Sequence, residues 1–153
     1  MIIEIYADNL RPKDVKFNQL FYAVSLIVVK EGRVLLLHDP KNNTYLFPRI
    51  AYYREPDRDL ALASLANSLK VEISAAIKSV SLHEHFPKRS YVCHYYKIEI
   101  VDKEQPMLSS VSSLAYVWQK DYDALEILGD YHGDEPWGSQ KMERDFIALI
   151  NSI

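Results

Sequence analysis

Two β-rich apolar runs, Phe21-Tyr22-Ala23-Val24-Ser25-Leu26-Ile27-Val28-Val29 and Val34-Leu35-Leu36-Leu37, stand on either side of the polar stretch Lys30-Glu31-Gly32-Arg33. β-Branched and aromatic residues favour extended backbone, and a short polar segment containing a glycine lets the chain reverse, so this pattern predicts a β-hairpin. Neither run alternates between apolar and polar residues, which predicts a hairpin buried on both faces. A chain of 153 residues is long enough to bury one such core and too short for two, so residues 1–153 are read as a single domain.

The remaining pattern supplies the partners of that hairpin. Ile3-Glu4-Ile5-Tyr6 alternates briefly and gives way to polar residues around Arg11-Pro12-Lys13-Asp14, so residues 1–20 read as an edge strand and loop preceding the main pattern. Asp39–Asn43 is a turn cluster, Tyr45–Phe47 a short strand and Pro48 a stop. From Asp57 to Leu69 the period lengthens. Leu60, Ala61, Ser64, Leu65, Ser68 and Leu69 share one helical face, and Pro56 and Asp57 offer start chemistry. Strands are expected over Ile77–Phe86, Tyr91–Ile100 and Leu114–Trp118. A short helix over 121–128, a loop over 129–139 and a final helix over 140–153 complete the order.

Composition removes several classes of function. Hydrophobic residues make up 48% and charged residues 25%, which sets disorder aside. The formal charge of −3 comes without any basic run, so no nucleic-acid partner is expected. The one cysteine, Cys93, rules out an intrachain disulfide and reads as a small buried strand residue. No apolar stretch approaches the ~20 residues that span a bilayer, and the first residues include Glu4, Asp8 and Asn9 rather than a basic flank and apolar run. No membrane association is expected, and the chain is read as cytoplasmic.

The 23-residue segment from Arg49 to Val71 carries a further pattern. Glu55 stands six residues after Arg49, Leu65 ten after Glu55 and Val71 six after Leu65. Ungapped, these positions fall on the first glutamate and the two apolar positions of G-x5-E-x7-R-E-U-x-E-E-x-G-U, the signature of the Nudix hydrolases. The chain resembles that superfamily over about residues 20–153, helped by the preceding hairpin, the Phe47-Pro48 step and the Trp118 strand leading to a short helix. The resemblance implies an α/β fold, an α/β/α sandwich around a mixed β-sheet, and a cleft for nucleoside diphosphate derivatives.

The box departs from the signature where metal would be held. Arg49 and Lys70 replace its glycines, Ala63 and Ser64 its Arg-Glu pair, and Asn67 and Ser68 its Glu-Glu pair. A hard divalent cation prefers oxygen ligands, chiefly carboxylates, so a face of neutral oxygens is expected to hold no metal, and no cofactor is expected. Mg2+ or Mn2+ would enter only through a displaced site drawing on Glu55, Asp57 and Asp59, although acids before a helix also serve its positive end. By resemblance the remaining catalytic candidates are Glu55 and, in the late loop, Asp134 and Glu135. Arg49, Tyr52 and Tyr53, with His38 at the hairpin's end, are the ligand-binding candidates, since a guanidinium can meet phosphate and aromatic rings can stack a base. His83 and His85 flank Glu84 on one face of a strand, as a metal pair or as solvated side chains. The expected function is a non-hydrolytic domain binding a nucleotide-type ligand or a protein partner. The alternatives are an altered hydrolase and a structural homodimer faced by the tyrosines.

Overall fold

The computed structural model describes residues 1–7, 9–30, 33–39, 44–69, 78–99 and 115–120. They form eight strands and one α-helix: β1 (Ile2–Tyr6), β2 (Gln19–Lys30), β3 (Arg33–Asp39), β4 (Thr44–Leu46), β5 (Arg49–Tyr52), α1 (Arg58–Leu69), β6 (Lys78–Phe86), β7 (Arg89–Glu99) and β8 (Ala115–Lys120). The strands make one mixed sheet in the order β1-β6-β7-β2-β3-β4, with β5 also on β2 and β8 also on β3.

The apolar run predicted to be buried on both faces is a central strand. β2 lies parallel to β7 from Gln19↔Arg89 to Val29↔Glu99, and its other edge takes β5 between Tyr22 and Ser25. Every residue from Ala23 to Val28 is buried, as the absence of alternation requires. The hairpin with β3 is present, joined at Val29↔Val34 and Lys30↔Arg33, while β3 pairs with β8 from Arg33 to His38 and with β4 from Leu37 to Asp39.

Strand alternation then sorts the core into two. Val24, Leu26 and Val28 face α1, where Ala61, Leu62, Leu65 and Leu69 pack on them with Leu35 and Ile98. Ala23 and Ile27 face the other way, against Leu36, Phe47, Val80, Leu82, Tyr91, Cys93 and Tyr95. Cys93 is fully buried, in keeping with its reading as a small hydrophobe.

Two local expectations need correction. Pro48 does not end the β-structure, because β5 follows at once and its alignment is pinned by the Pro48 carbonyl. That carbonyl accepts hydrogen bonds of 3.0 Å from the Leu26 amide and of 3.0 Å from the buried Ser25 hydroxyl. The apolar stripe of α1 is also rotated from the predicted face. Ala61, Leu62, Leu65, Ala66 and Leu69 are buried, while Leu60 is 70% exposed and Ser64 and Ser68 lie outside. The helix begins at Arg58, with Asp57 as its cap: one carboxylate oxygen accepts from the amides of Asp59 at 3.1 Å and Leu60 at 3.2 Å. The expected helices over 121–128 and 140–153, and the loop between them, lie outside the described residues.

Candidate functional site

β5 alternates like any strand, and that separates the ligand-binding candidates. Arg49 stands opposite Ser25 and Tyr52 opposite Tyr22, on opposite faces of the sheet. Tyr52 packs against the α1 side of the core, and Tyr53, one residue on, is 90% exposed. The backbone of His38 lies in β3 opposite Tyr45 and Ala115. Asp134 and Glu135 lie outside the described residues.

On the face away from α1, Arg49 and the fully buried Glu84 both act electrostatically on the phenol of Tyr95. Burial is the largest cause pushing that phenol well above its ordinary range, and a hydrogen bond with Cys93 adds to it. Phe47 meets the same ring edge-on, with centroids 6.2 Å apart. This arrangement keeps Tyr95 neutral within an aromatic core.

The α1 face gathers polar groups that the sequence analysis did not join. Ser81 and His94 face each other across β6 and β7, with Ser81 Oγ 2.7 Å from His94 Nδ1. His94 is 2% exposed, and its Nε2 is buried without a hydrogen-bond partner among the described residues. Burial lowers its pKa to about 4, with the nearby Arg58 cation adding to the shift and Glu55 opposing it. Arg58, in the first turn of α1, also hydrogen-bonds Tyr96, whose phenol is pushed up mainly by burial. Glu55 thus stands near the start of α1 among Arg58, His83 and His94. Only Glu55 among these was a catalytic candidate. His83 was considered only with His85 as a metal pair; Ser81, His94 and Tyr96 carry no motif beyond being polar residues on otherwise apolar strands, and Arg58 none beyond lying at the helix start.

The exposed side of α1 bears Ala63, Ser64, Asn67 and Ser68. Ser68 turns its hydroxyl back onto its own helix, donating to the Leu65 carbonyl at 3.0 Å. Ser64, Asn67 and Ser68 offer no carboxylate, and by themselves these three do not fit a Mg2+ or Mn2+ ion, which needs anionic oxygens to offset dehydration; the carboxylate on α1 is Asp59, in its first turn. Among the described residues no group of three or more His, Cys, Asp or Glu side chains is arranged to hold a metal, and no helix is long and apolar enough to cross a membrane.

With this geometry in hand, the chain can be set beside known proteins. No family model and no curated protein sequence matches it. Solved structures do. The E. coli ORF135 protein aligns at 17% identity and a TM-score of 0.56, covering 88% of this chain and 94% of its own. A C. elegans Ap4A hydrolase in a binary complex aligns at 14% identity and a TM-score of 0.53, covering 86% and 98%. The MutT protein of Bacillus halodurans aligns at 17% identity and a TM-score of 0.52, covering 70% and 72%. The chain has the Nudix fold. At these identities the likeness concerns fold, and chemistry must be argued from side chains. In this Nudix-fold chain, the segment matching the box runs along β5, turns through residues 53–57 and continues into α1.

Proposed function

We propose that this Nudix-fold chain is a non-hydrolytic binding domain that takes a nucleotide-type ligand without a box-held metal. The single observation that carries this reading is the exposed side of α1, where Ser64, Asn67 and Ser68 stand where the signature has carboxylates. Neutral hydroxyl and amide oxygens neither neutralise a diphosphate-bound cation nor take a proton from water near neutral pH. The nucleotide class is suggested by the fold and by neighbours that include an Ap4A hydrolase. Arg49 on one face, or Tyr52 and Tyr53 with Glu55 and Arg58 on the other, mark the two places at which such a ligand is to be sought. A protein partner or a second copy of the chain is the competing occupant, and the cytoplasm the expected compartment.

The test is a thermal-shift screen of nucleotides and dinucleoside polyphosphates with and without Mg2+, run beside a hydrolysis assay. The expected outcome is a raised midpoint that does not depend on Mg2+, without substantial hydrolysis. Robust turnover, abolished by EDTA and by Glu55→Gln and absent from a mock purification, would instead establish an altered hydrolase. No shift with any nucleotide, together with concentration-dependent sedimentation, would favour the protein-binding alternative.

A further inference from the structure

The start of β2 brings two basic segments of the chain together. Gln19 pairs with Arg89 at the beginning of β7, and its amide donates to the Lys88 carbonyl at 3.1 Å. Just before it, Asn18 Nδ2 donates to the Phe86 carbonyl at 2.8 Å and to Ser90 Oγ at 3.0 Å. The segment that follows the short 3-10 helix Pro12–Asp14 is thus stitched to the two-residue turn Pro87-Lys88 between β6 and β7. The sequence holds no basic run because these cations come from residues 11–16 and 88–89, and only the fold makes them neighbours.

Lys13, Lys16, Lys88 and Arg89 are all exposed, and among the described residues none of them makes an ion pair. Arg11 is held by Asp14 at 3.4 Å, and Asp14 is the one carboxylate in the two segments. The whole chain has a formal charge of −3, so this end of the sheet is positive on a protein that is elsewhere acidic. Lys88 adopts φ 69°, a left-handed conformation that glycine takes without steric cost, so the turn keeps a cation at the expense of backbone strain. Among these cations Phe17 is 92% exposed, with Lys16 Nζ 5.5 Å from its ring centroid, and Leu20 is 45% exposed. An apolar tip set among unpaired cations suits a partner with negative charge at its surface and hydrocarbon just beneath. Single-stranded nucleic acid would instead use several aromatic platforms in succession, and Phe17 is the one aromatic residue between Arg11 and Leu20.

We propose that this end of the sheet is a peripheral docking surface for a membrane containing anionic phospholipid, with Phe17 and Leu20 entering the headgroup region and Lys13, Lys16, Lys88 and Arg89 meeting the lipid phosphates and carboxylates. Such a contact needs no spanning segment, because the apolar side chains reach only the boundary between headgroups and acyl chains. The acidic remainder of the chain is repelled by the same surface, which fixes the orientation of docking. The surface shares no residue with the places at which a nucleotide is sought, and the proposal does not depend on that reading.

The test is flotation of the full chain with phosphatidylcholine vesicles that contain or lack phosphatidylserine, at ~0.1 M salt and again at ~1 M, where the screening length falls from about 10 Å to about 3 Å. Binding is expected only to the anionic vesicles, with loss at the higher salt. Lys16→Gln and Lys88→Gln should each weaken partitioning about fivefold, as for one basic side chain near an anionic surface, and Phe17→Ser by at least as much. Lys88→Gly separates binding from folding: its thermal midpoint should equal or exceed that of wild type while its partitioning falls as for Lys88→Gln. Lys78→Gln, at the other end of β6, should bind as wild type does. Equal binding to vesicles without phosphatidylserine, no binding to either kind, or undiminished binding by the Lys16→Gln/Phe17→Ser/Lys88→Gln triple variant would each overturn the proposal. Tighter binding of a single-stranded RNA oligonucleotide, abolished by the same substitutions, would overturn it in favour of nucleic acid.

Discussion

The α1 side of the sheet has two halves that differ sharply in chemistry. Over β2 and β3 it is dry: Val24, Leu26, Val28 and Leu35 meet Ala61, Leu62, Leu65 and Leu69. Over β6, β7 and β1 the same face carries Ser81, His83, His85, Ser90, His94 and Glu4, paired among themselves. The strands alternate in both halves. Apolar side chains fill the half that the helix covers, where a buried polar group would need a partner, while polar groups occupy the half where strand neighbours or solvent can provide one. His94 lies at the seam, buried like the first half and polar like the second.

The largest expected effect breaks the dry half. Leu65 is 4% exposed, so Leu65→Ala should cost about 2–5 kcal/mol, read as a lowered denaturant midpoint with unchanged slope. A midpoint equal to wild type would remove α1 from the core.

The seam comes next, through pH. The folded-state pKa of His94 is lowered to about 4 from an ordinary 6.5, so below pH 6.5 the unfolded chain takes up a proton that the native chain refuses. The stability associated with neutral His94 is therefore complete above pH 6.5, declines as pH falls, and is lost by about pH 4. The full difference is about 3 kcal/mol. Denaturant midpoints measured from pH 7 to 4 should show this loss, and His94→Phe should flatten that part of the profile. An unchanged profile in the variant would assign the acid sensitivity elsewhere.

A smaller loss is expected at the helix start. Asp57→Ala removes the acceptor for two amides and should cost about 0.5–2 kcal/mol, whereas Asp57→Asn should recover most of it. Equal losses in the two variants would point to charge rather than capping. The smallest effect is on the outer side of α1: Leu60→Ser, at a position 70% exposed, should stay within about 0.5 kcal/mol of wild type. A loss comparable to that of Leu65→Ala would restore the helical face predicted from sequence.

That predicted face shows where sequence reading runs short. Leu60, Ala61, Leu65 and Leu69 fit one stripe and Ala61, Leu62, Leu65, Ala66 and Leu69 another, offset by a fraction of a turn. Periodicity alone does not choose between them, because the choice depends on where β2 lies beneath the helix. β5 was missed for a local reason. Pro48 reads as a stop, and only the bonds from Ser25 and Leu26 to its carbonyl show that extended structure resumes at Arg49. Once β5 is known, the separation of Arg49 from Tyr52 follows from alternation, so the missing step was the strand itself. The neutral side chains of Ser64, Asn67 and Ser68 needed no structure, since their chemistry is written in residue type.

The sequence by itself determined the buried β2 hairpin, the helix that follows Asp57 and the neutral character of Ser64, Asn67 and Ser68 on that helix. Each is encoded within a few consecutive turns or strand residues, where side-chain period and donor chemistry are local properties. Only the tertiary structure decided that Glu4 lies beside His83 and His85, that Ser81 meets His94, and that Arg58 and Glu55 approach both His83 and His94. Those neighbours depend on the parallel pairing of β1 with β6 and on the crossing of α1 over the sheet. Strand order and register are set by the packing of the whole core, and no single segment of the chain contains them.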